Sequence, residues 1–131
     1  MPKTTTTDPA DTKPDAPAAA APLTVPVYAA GPGLPEAAFA PARAAGFTEA
    51  TDELGNIAFT SPDGRLAIEW GPESYRYRTN PTGGLWQIKY TDATAPAEGW
   101  SAQLGDNVPA EAVGALITAL TAPGGLNPDR A

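Results

Sequence analysis

The stretch IAFTSPDGRLAIEW, residues 57–70, reads as two strands and the turn between them. Ile57 and Phe59 alternate with small or polar residues before the turn, and Leu66, Ile68 and Trp70 alternate after it. A period of two with one apolar face describes antiparallel strands packed on a single layer. In Ser61-Pro62-Asp63-Gly64, Pro62 presets φ at the second turn position, Asp63 tolerates the third, and Gly64 takes positive φ at the fourth. This order predicts a type I turn with a Gly bulge, a standard hairpin connection. The same residues raise a question of function, because an Asp beside Gly and Arg is also a candidate catalytic carboxylate or metal ligand. The turn chemistry accounts for Asp63 fully, as a turn former whose side chain bonds local backbone.

The alternation continues outward from the hairpin. Trp86, Ile88 and Tyr90 repeat it, then Trp100, Ala102 and Leu104, and the connections are short enough for a meander. Trp70, Trp86 and Trp100 all fall on the face assigned to the core. The period then changes. VPAEAVGALITAL, residues 108–120, sets Val113, Leu116, Ile117 and Leu120 on one helical face. Pro109 suits the first helical position, Glu111 lies near the positive end of the helix, and Pro123-Gly124-Gly125 stops it. That apolar stripe must cover the apolar face of the sheet, since nothing else in the chain can.

Toward the N-terminus, Val25-Pro26-Val27-Tyr28 is a short extended segment that ends at Gly31-Pro32-Gly33. LPEAAFAPARAAG, residues 34–46, favours helix but contains Pro41, which fits best as the first residue of a short helix ending at Gly46. The expected fold class is therefore α+β. An antiparallel meander of about four to five strands has one face covered by a C-terminal helix, with a short N-terminal helix beside it. Residues 1–24 hold Thr, Ala, Pro and Asp with almost no large apolar side chain, which predicts a disordered tail. The domain is expected over 25–122 and a flexible C-terminus over 123–131.

Composition narrows the chemistry. Eight basic against fifteen acidic residues give a net charge of −7, which weighs against non-specific nucleic-acid binding. The chain has no Cys and no His, so disulfides, thiol nucleophiles, imidazole bases and zinc sites of the usual N/S type are excluded. No apolar run reaches membrane-spanning length, which makes a cytoplasmic protein without membrane contact the default expectation. Glu69, Glu73 and Glu98 are the candidate carboxylates of the folded part, and no spacing pairs them. Glu69 alternates with Ile68 and Trp70, onto the face away from the core. Asp52-Glu53 precedes the Leu54-Gly55-Asn56 turn and reads as a solvated loop. The GGLW stretch at 83–86 lacks the helix and the Lys of a phosphate loop, and no loop spaces its oxygens for Ca²⁺ or Mg²⁺. No catalytic residue, cofactor or metal is expected.

One segment stands apart. GPESYRYRTNPTGG, residues 71–84, joins two strands and carries Tyr75, Arg76, Tyr77 and Arg78, the densest basic and aromatic cluster of an acidic chain. Tyr and Arg are favoured at the centres of protein interfaces, and Arg with aromatic rings also binds single-stranded nucleic acid. The plainer alternative is a hairpin loop whose Arg residues pair with nearby Glu.

The order of these motifs resembles the actinobacterial DUF317 family, found often in Streptomyces and its mobile elements. The resemblance is carried by VYAAGPG at 27–33, AAGFTEATDELGNIAFTSPDGRLAIEW at 44–70, GLWQIKY at 84–90, the isolated Trp100, and VPAEAVGALITAL at 108–120. Phe47 stands where the family usually has Trp, and Val108 where it usually has a capping Thr. Loss of that cap costs about 1 kcal/mol unless Asp106 or Asn107 substitutes. The resemblance implies no activity and no catalytic residues. The expected function is a non-catalytic, protein-binding interaction domain of a small soluble actinobacterial or phage- or plasmid-borne protein, with a protein partner or self-association. The alternative is a nucleic-acid-binding accessory protein of a mobile element, disfavoured by net charge, and the third reading is a carboxylate-dependent enzyme.

Overall fold

The computed structural model describes residues 23–130 of the 131-residue chain. The tail expected over 1–24 lies outside the described residues except for Leu23 and Thr24. Five strands form one sheet: β1 Thr48–Thr51, β2 Ile57–Thr60, β3 Leu66–Trp70, β4 Trp86–Tyr90 and β5 Trp100–Leu104. They lie side by side in chain order, each antiparallel to its neighbours. Helices α1 (Glu36–Ala44) and α3 (Ala110–Leu120) cover one face, and a short helix α2 (Tyr75–Thr79) sits in the connection from β3 to β4. The α+β meander with a C-terminal helix on it and a short N-terminal helix is the architecture read from the alternation.

The register explains the core. Phe59, Ile68, Ile88 and Ala102 lie in one cross-strand row, and Ile57, Trp70, Trp86 and Leu104 in the next row on the same face. Phe59, Ile68, Trp86 and Ile88 are buried there against Phe39 of α1 and Val113 and Ile117 of α3. Phe39 packs edge-on to Trp70 and Trp86, at centroid distances of 5.6 and 6.0 Å. The opposite face is small and polar, with Thr48, Thr60, Ala67, Lys89 and Ser101 in one row and Ala50, Ala58, Glu69, Gln87 and Gln103 in the other. Among the described residues no helix covers this second face, and its composition requires none.

The structure departs from the sequence reading at Val27–Ala29, a 3₁₀ turn where an extended segment is expected, and in three further places. First, α1 does not begin at Pro41 but runs through it from Glu36. An interior Pro leaves the carbonyl four residues earlier without its helical donor. Here that carbonyl belongs to Ala37, and it faces Gly114 of α3, where an added Cβ would stand 2.4 Å from it. The Pro41 ring packs on the same glycine, 3.3 Å from that Cβ position. The close α1–α3 contact therefore uses the very distortion that should have ended the helix. Second, Pro109 precedes α3 as its N-cap, and neither Asp106 nor Asn107 caps it with a side chain. Instead the Ala110 N–H donates to the Pro32 carbonyl at 2.9 Å, so the N-terminal segment closes the helix start. Third, Trp100 is on the helix-covered face but is 43% exposed. It lies at the end of an edge strand, beside Tyr90 (centroids 6.4 Å apart) and short of full cover by α3, so core packing does not account for it. Among the described residues no helix is long and apolar enough to cross a membrane.

Candidate functional site on the connection from β3 to β4

Residues 71–84, for which a hairpin loop is the plainer alternative, fold around a cap. The Ser74 hydroxyl accepts from the Tyr77 N–H at 3.1 Å and donates to the Gly71 carbonyl at 2.7 Å, which starts the single turn of α2. The beginning of the connection is tied to the neighbouring hairpin by Asn56, the buried polar residue of the core region. Its amide oxygen accepts from the Glu73 N–H at 2.8 Å, and its Nδ2 donates to Asp52 at 2.9 Å. Asp52 also accepts from the N–H groups of Leu54 and Asn56. These bonds, the Asn56 side chain foremost, hold the Asp52 carboxyl below its usual range. Asp52 is exposed in this loop, as the sequence reads it, and its side chain also closes the turn.

A rigid connection sends the four candidate residues in different directions. Arg76 turns back over the open face of the sheet, with its side chain only 19% exposed. Its Nη1 donates to Glu69 at 2.7 Å and to Gln87 at 3.3 Å, and its Nε donates to the Gly84 carbonyl at 3.0 Å. Tyr77 is half-buried, and its hydroxyl donates to Asp106 at 3.2 Å. That bond, with burial second, raises the phenol pKa. Tyr75 is 75% exposed. Arg78 is also exposed and, among the described residues, donates to the backbone carbonyl of Glu73, at 2.9 Å. The structure thus brings Tyr75 and Arg78 to the surface as a pair and separates them from Arg76 and Tyr77, which hold the connection in place.

Beneath Tyr77 lies a cleft of about 360 Å³, lined by Trp70, Trp86, Pro32, Pro35, Pro72 and Asp106 among others. Trp70 and Trp86 form its aromatic floor, with centroids 6.4 Å apart. The sequence assigned both indoles to the core. Trp86 is buried, whereas Trp70 is half-buried and borders this cleft. The participation of Pro32 and Asp106 has no local signal, because it depends on how the N-terminal segment meets the start of α3. A second cleft, of about 440 Å³, lies at the other end of the sheet between Phe47, Leu66, Tyr90, Trp100 and Leu120.

The Ser61–Gly64 turn answers the question its sequence raises. The Gly64 N–H donates to the Ser61 carbonyl at 2.8 Å, and Gly64 has φ of 76°. Asp63 accepts from the Ser61 hydroxyl at 2.6 Å, from the Arg65 N–H at 3.1 Å and from Arg65 Nε at 3.1 Å. These donors, Ser61 first, hold its carboxyl down at about 2. A carboxylate so occupied is a poor proton acceptor at neutral pH. Among the described residues no group of three or more acidic side chains is placed to hold a metal ion.

Fold and site together define a class: a small two-layer α+β domain, open on one sheet face, that presents a capped helical turn on its longest strand connection. The chain belongs to the family described as SPDY, a domain of unknown function (DUF317), whose model matches residues 60–126. The match opens at the Ser61–Gly64 turn and runs through β3, α2, β4, β5 and α3. No curated protein and no solved structure matches the chain.

Proposed function

We propose that this chain is a non-catalytic protein-interaction domain whose contact surface is the outward side of α2, Tyr75 with Arg78, beside the cleft bordered by Trp70 and Tyr77. The observation that carries the reading is the division within α2. Arg76 and Tyr77 are committed to Glu69 and Asp106, whereas Tyr75 presents a whole exposed ring on a turn that is fixed at both ends. An exposed aromatic on a rigid support, with a guanidinium beside it, is the composition favoured at interface centres, and its ordering cost is already met by the fold. Asp52, Asp63 and Asp92 each accept bonds from their own turns, and the candidate carboxylate Glu69 accepts from Arg76, uses that fit a structural role for these four carboxylates.

The nucleic-acid alternative draws on the resemblance to proteins of actinobacterial mobile elements. Among the described residues, pairing of Arg76 with Glu69 leaves Arg78 as the guanidinium of the segment without a carboxylate partner, on a chain of net charge −7. A phosphate backbone is poorly served by such a surface. The experiment is capture of partners on the immobilised chain, followed by affinity measurement with Tyr75→Ala and Arg78→Ala variants at several salt concentrations. The proposal expects a protein partner, strong weakening by Tyr75→Ala, and weak salt dependence. Binding lost steeply with salt and indifferent to Tyr75 would transfer the assignment to nucleic acid. Binding unaffected by either substitution would remove α2 from the site.

A further inference from the structure

The two edges of the sheet are finished differently. The β1 edge is short and charged: Glu49 on β1 pairs with Arg43 of α1 at 3.0 Å, and Arg43 also bonds Glu36. Such an edge repels an added strand. The β5 edge, Trp100-Ser101-Ala102-Gln103-Leu104, has no charge, no proline and one residue more. The helix above this side, α3, has Glu111 as its single charged residue. Its stripe of Ala112, Leu116 and Ala119, on the side away from Gly114 and α1, is apolar.

The hydrogen-bond phase of the sheet determines what β5 offers. The Thr91 N–H donates to the Arg65 carbonyl and the Gly71 N–H to the Leu85 carbonyl, both at 2.9 Å, at the two ends of the β3–β4 ladder. Antiparallel pairs alternate between bonded and non-bonded. Lys89 and Gln87 therefore direct their backbone groups to β3, and Trp86, Ile88 and Tyr90 direct theirs to β5. Their partners Leu104, Ala102 and Trp100 are thereby satisfied. The N–H and C=O groups of Ser101 and Gln103 point out of the sheet, and among the described residues no turn, loop or cap bond takes them up.

We propose that the chain forms a homodimer in which β5 pairs antiparallel with β5 of a second copy, with Ala102 on the two-fold axis. In this register Ser101 of one copy faces Gln103 of the other, and each such pair exchanges two backbone bonds. All four outward groups of each β5 are then satisfied, because the free pattern is symmetric about Ala102. The non-bonded position at the axis brings Cα atoms closest, and it holds the smallest side chain of the strand. Trp100, otherwise 43% exposed, stands opposite Leu104 of the second copy, on the helix-covered face. The apolar flanks of the two α3 helices approach above it. A second copy is favoured over a foreign strand because β5 matches itself in apolar alternation, bond phase and length at once. An isologous contact between two chains of net charge −7 also requires an uncharged edge, which this side of the molecule supplies.

The test is the solution mass of the full chain by sedimentation equilibrium, with two variants. The wild type is expected at twice 13.4 kDa. Ser101→Pro removes an outward N–H and no bond to β4, so it should fold and sediment as a single chain. In a chain that has no cysteine, Ala102→Cys should cross-link to a covalent dimer under mild oxidation, since non-bonded cross-strand pairs lie within disulfide reach. A wild type that stays at the mass of one chain at every soluble concentration overturns the proposal. So does a dimer that fails to cross-link through Ala102→Cys, a readout that stands even if the proline variant does not fold. A monomer whose β5 pairs only with a different protein would equally sink it.

Discussion

The Ser61–Gly64 turn and the connection over residues 71–84 each lead from one antiparallel strand to the next, yet they dispose of their polar groups in opposite ways. In the short turn every polar side chain is used locally: Ser61, Asp63 and Arg65 bond one another and the adjacent backbone. In the long connection Arg76, Tyr77 and Ser74 do the same work, and Tyr75 and Arg78 are left over. A turn of minimum length has no residue to spare, because each position must satisfy the chain reversal itself. A connection long enough to build its own capped helix satisfies its backbone internally and leaves side chains free for other contacts.

Removing a structural member of the long connection should have the largest effect. Arg76→Ala strips the partner from a partly exposed Glu69 and leaves the Gly84 carbonyl without its donor, so it is expected to destabilise by about 2–3 kcal/mol. Chemical denaturation would register this as a lower midpoint at unchanged slope. A shift no larger than that of Arg78→Ala would dissolve the division within α2. Gly64→Val comes next, at about 1–2 kcal/mol, because a β-branched side chain resists the positive φ that the short turn requires. Thermal melting of the two variants side by side ranks the connections by how far each depends on one residue.

Acid sensitivity sharpens the contrast further. The Asp63 carboxyl is held down at about 2 by the Ser61 hydroxyl and the Arg65 groups. A depressed carboxyl contributes stability that is present above its unfolded value, near 4, and is lost as pH falls through its folded value. Wild-type stability should therefore decline between about pH 4 and 2, and Asp63→Asn should flatten part of that decline. At neutral pH the same substitution is expected to preserve the hairpin, since Asn also tolerates the turn. An identical acid limb in the variant would mean that the carboxylate contributes nothing to the hairpin. The smallest stability effect belongs to the exposed pair, with Tyr75→Ala and Arg78→Ala together changing the melting free energy by less than about 0.5 kcal/mol.

Much of this fold is legible because local and tertiary demands agree. The alternation of Leu66, Ile68, Trp70 and of Trp86, Ile88, Tyr90 required one covered face, and the stripe of Val113 and Ile117 supplied the cover. Where a tertiary contact overrules a local rule, the sequence misleads. Pro41 reads as a helix start because nothing nearby announces that Gly114 will receive the Ala37 carbonyl. Trp100 reads as core because its strand alternates correctly, while its exposure depends on where α3 stops and on its place at a sheet edge. The YRYR cluster is visible as a composition, but its division is not. That division follows from the Ser74 cap, which sets the phase of one helical turn and so decides which side chains meet Glu69 and Asp106. The cleft under Tyr77 is still less legible, being assembled from residues near 32, 70 and 106 that are distant in the chain.

A photo-crosslinking amino acid placed at position 75 in one variant and at position 65 in another, each exposed to native extract, tests the functional difference between the two connections most directly. Both positions are solvent-accessible and lie beside their respective connections. The division between the two connections predicts protein adducts from position 75 and none above background from position 65. Adducts from position 65 with none from position 75 would contradict it.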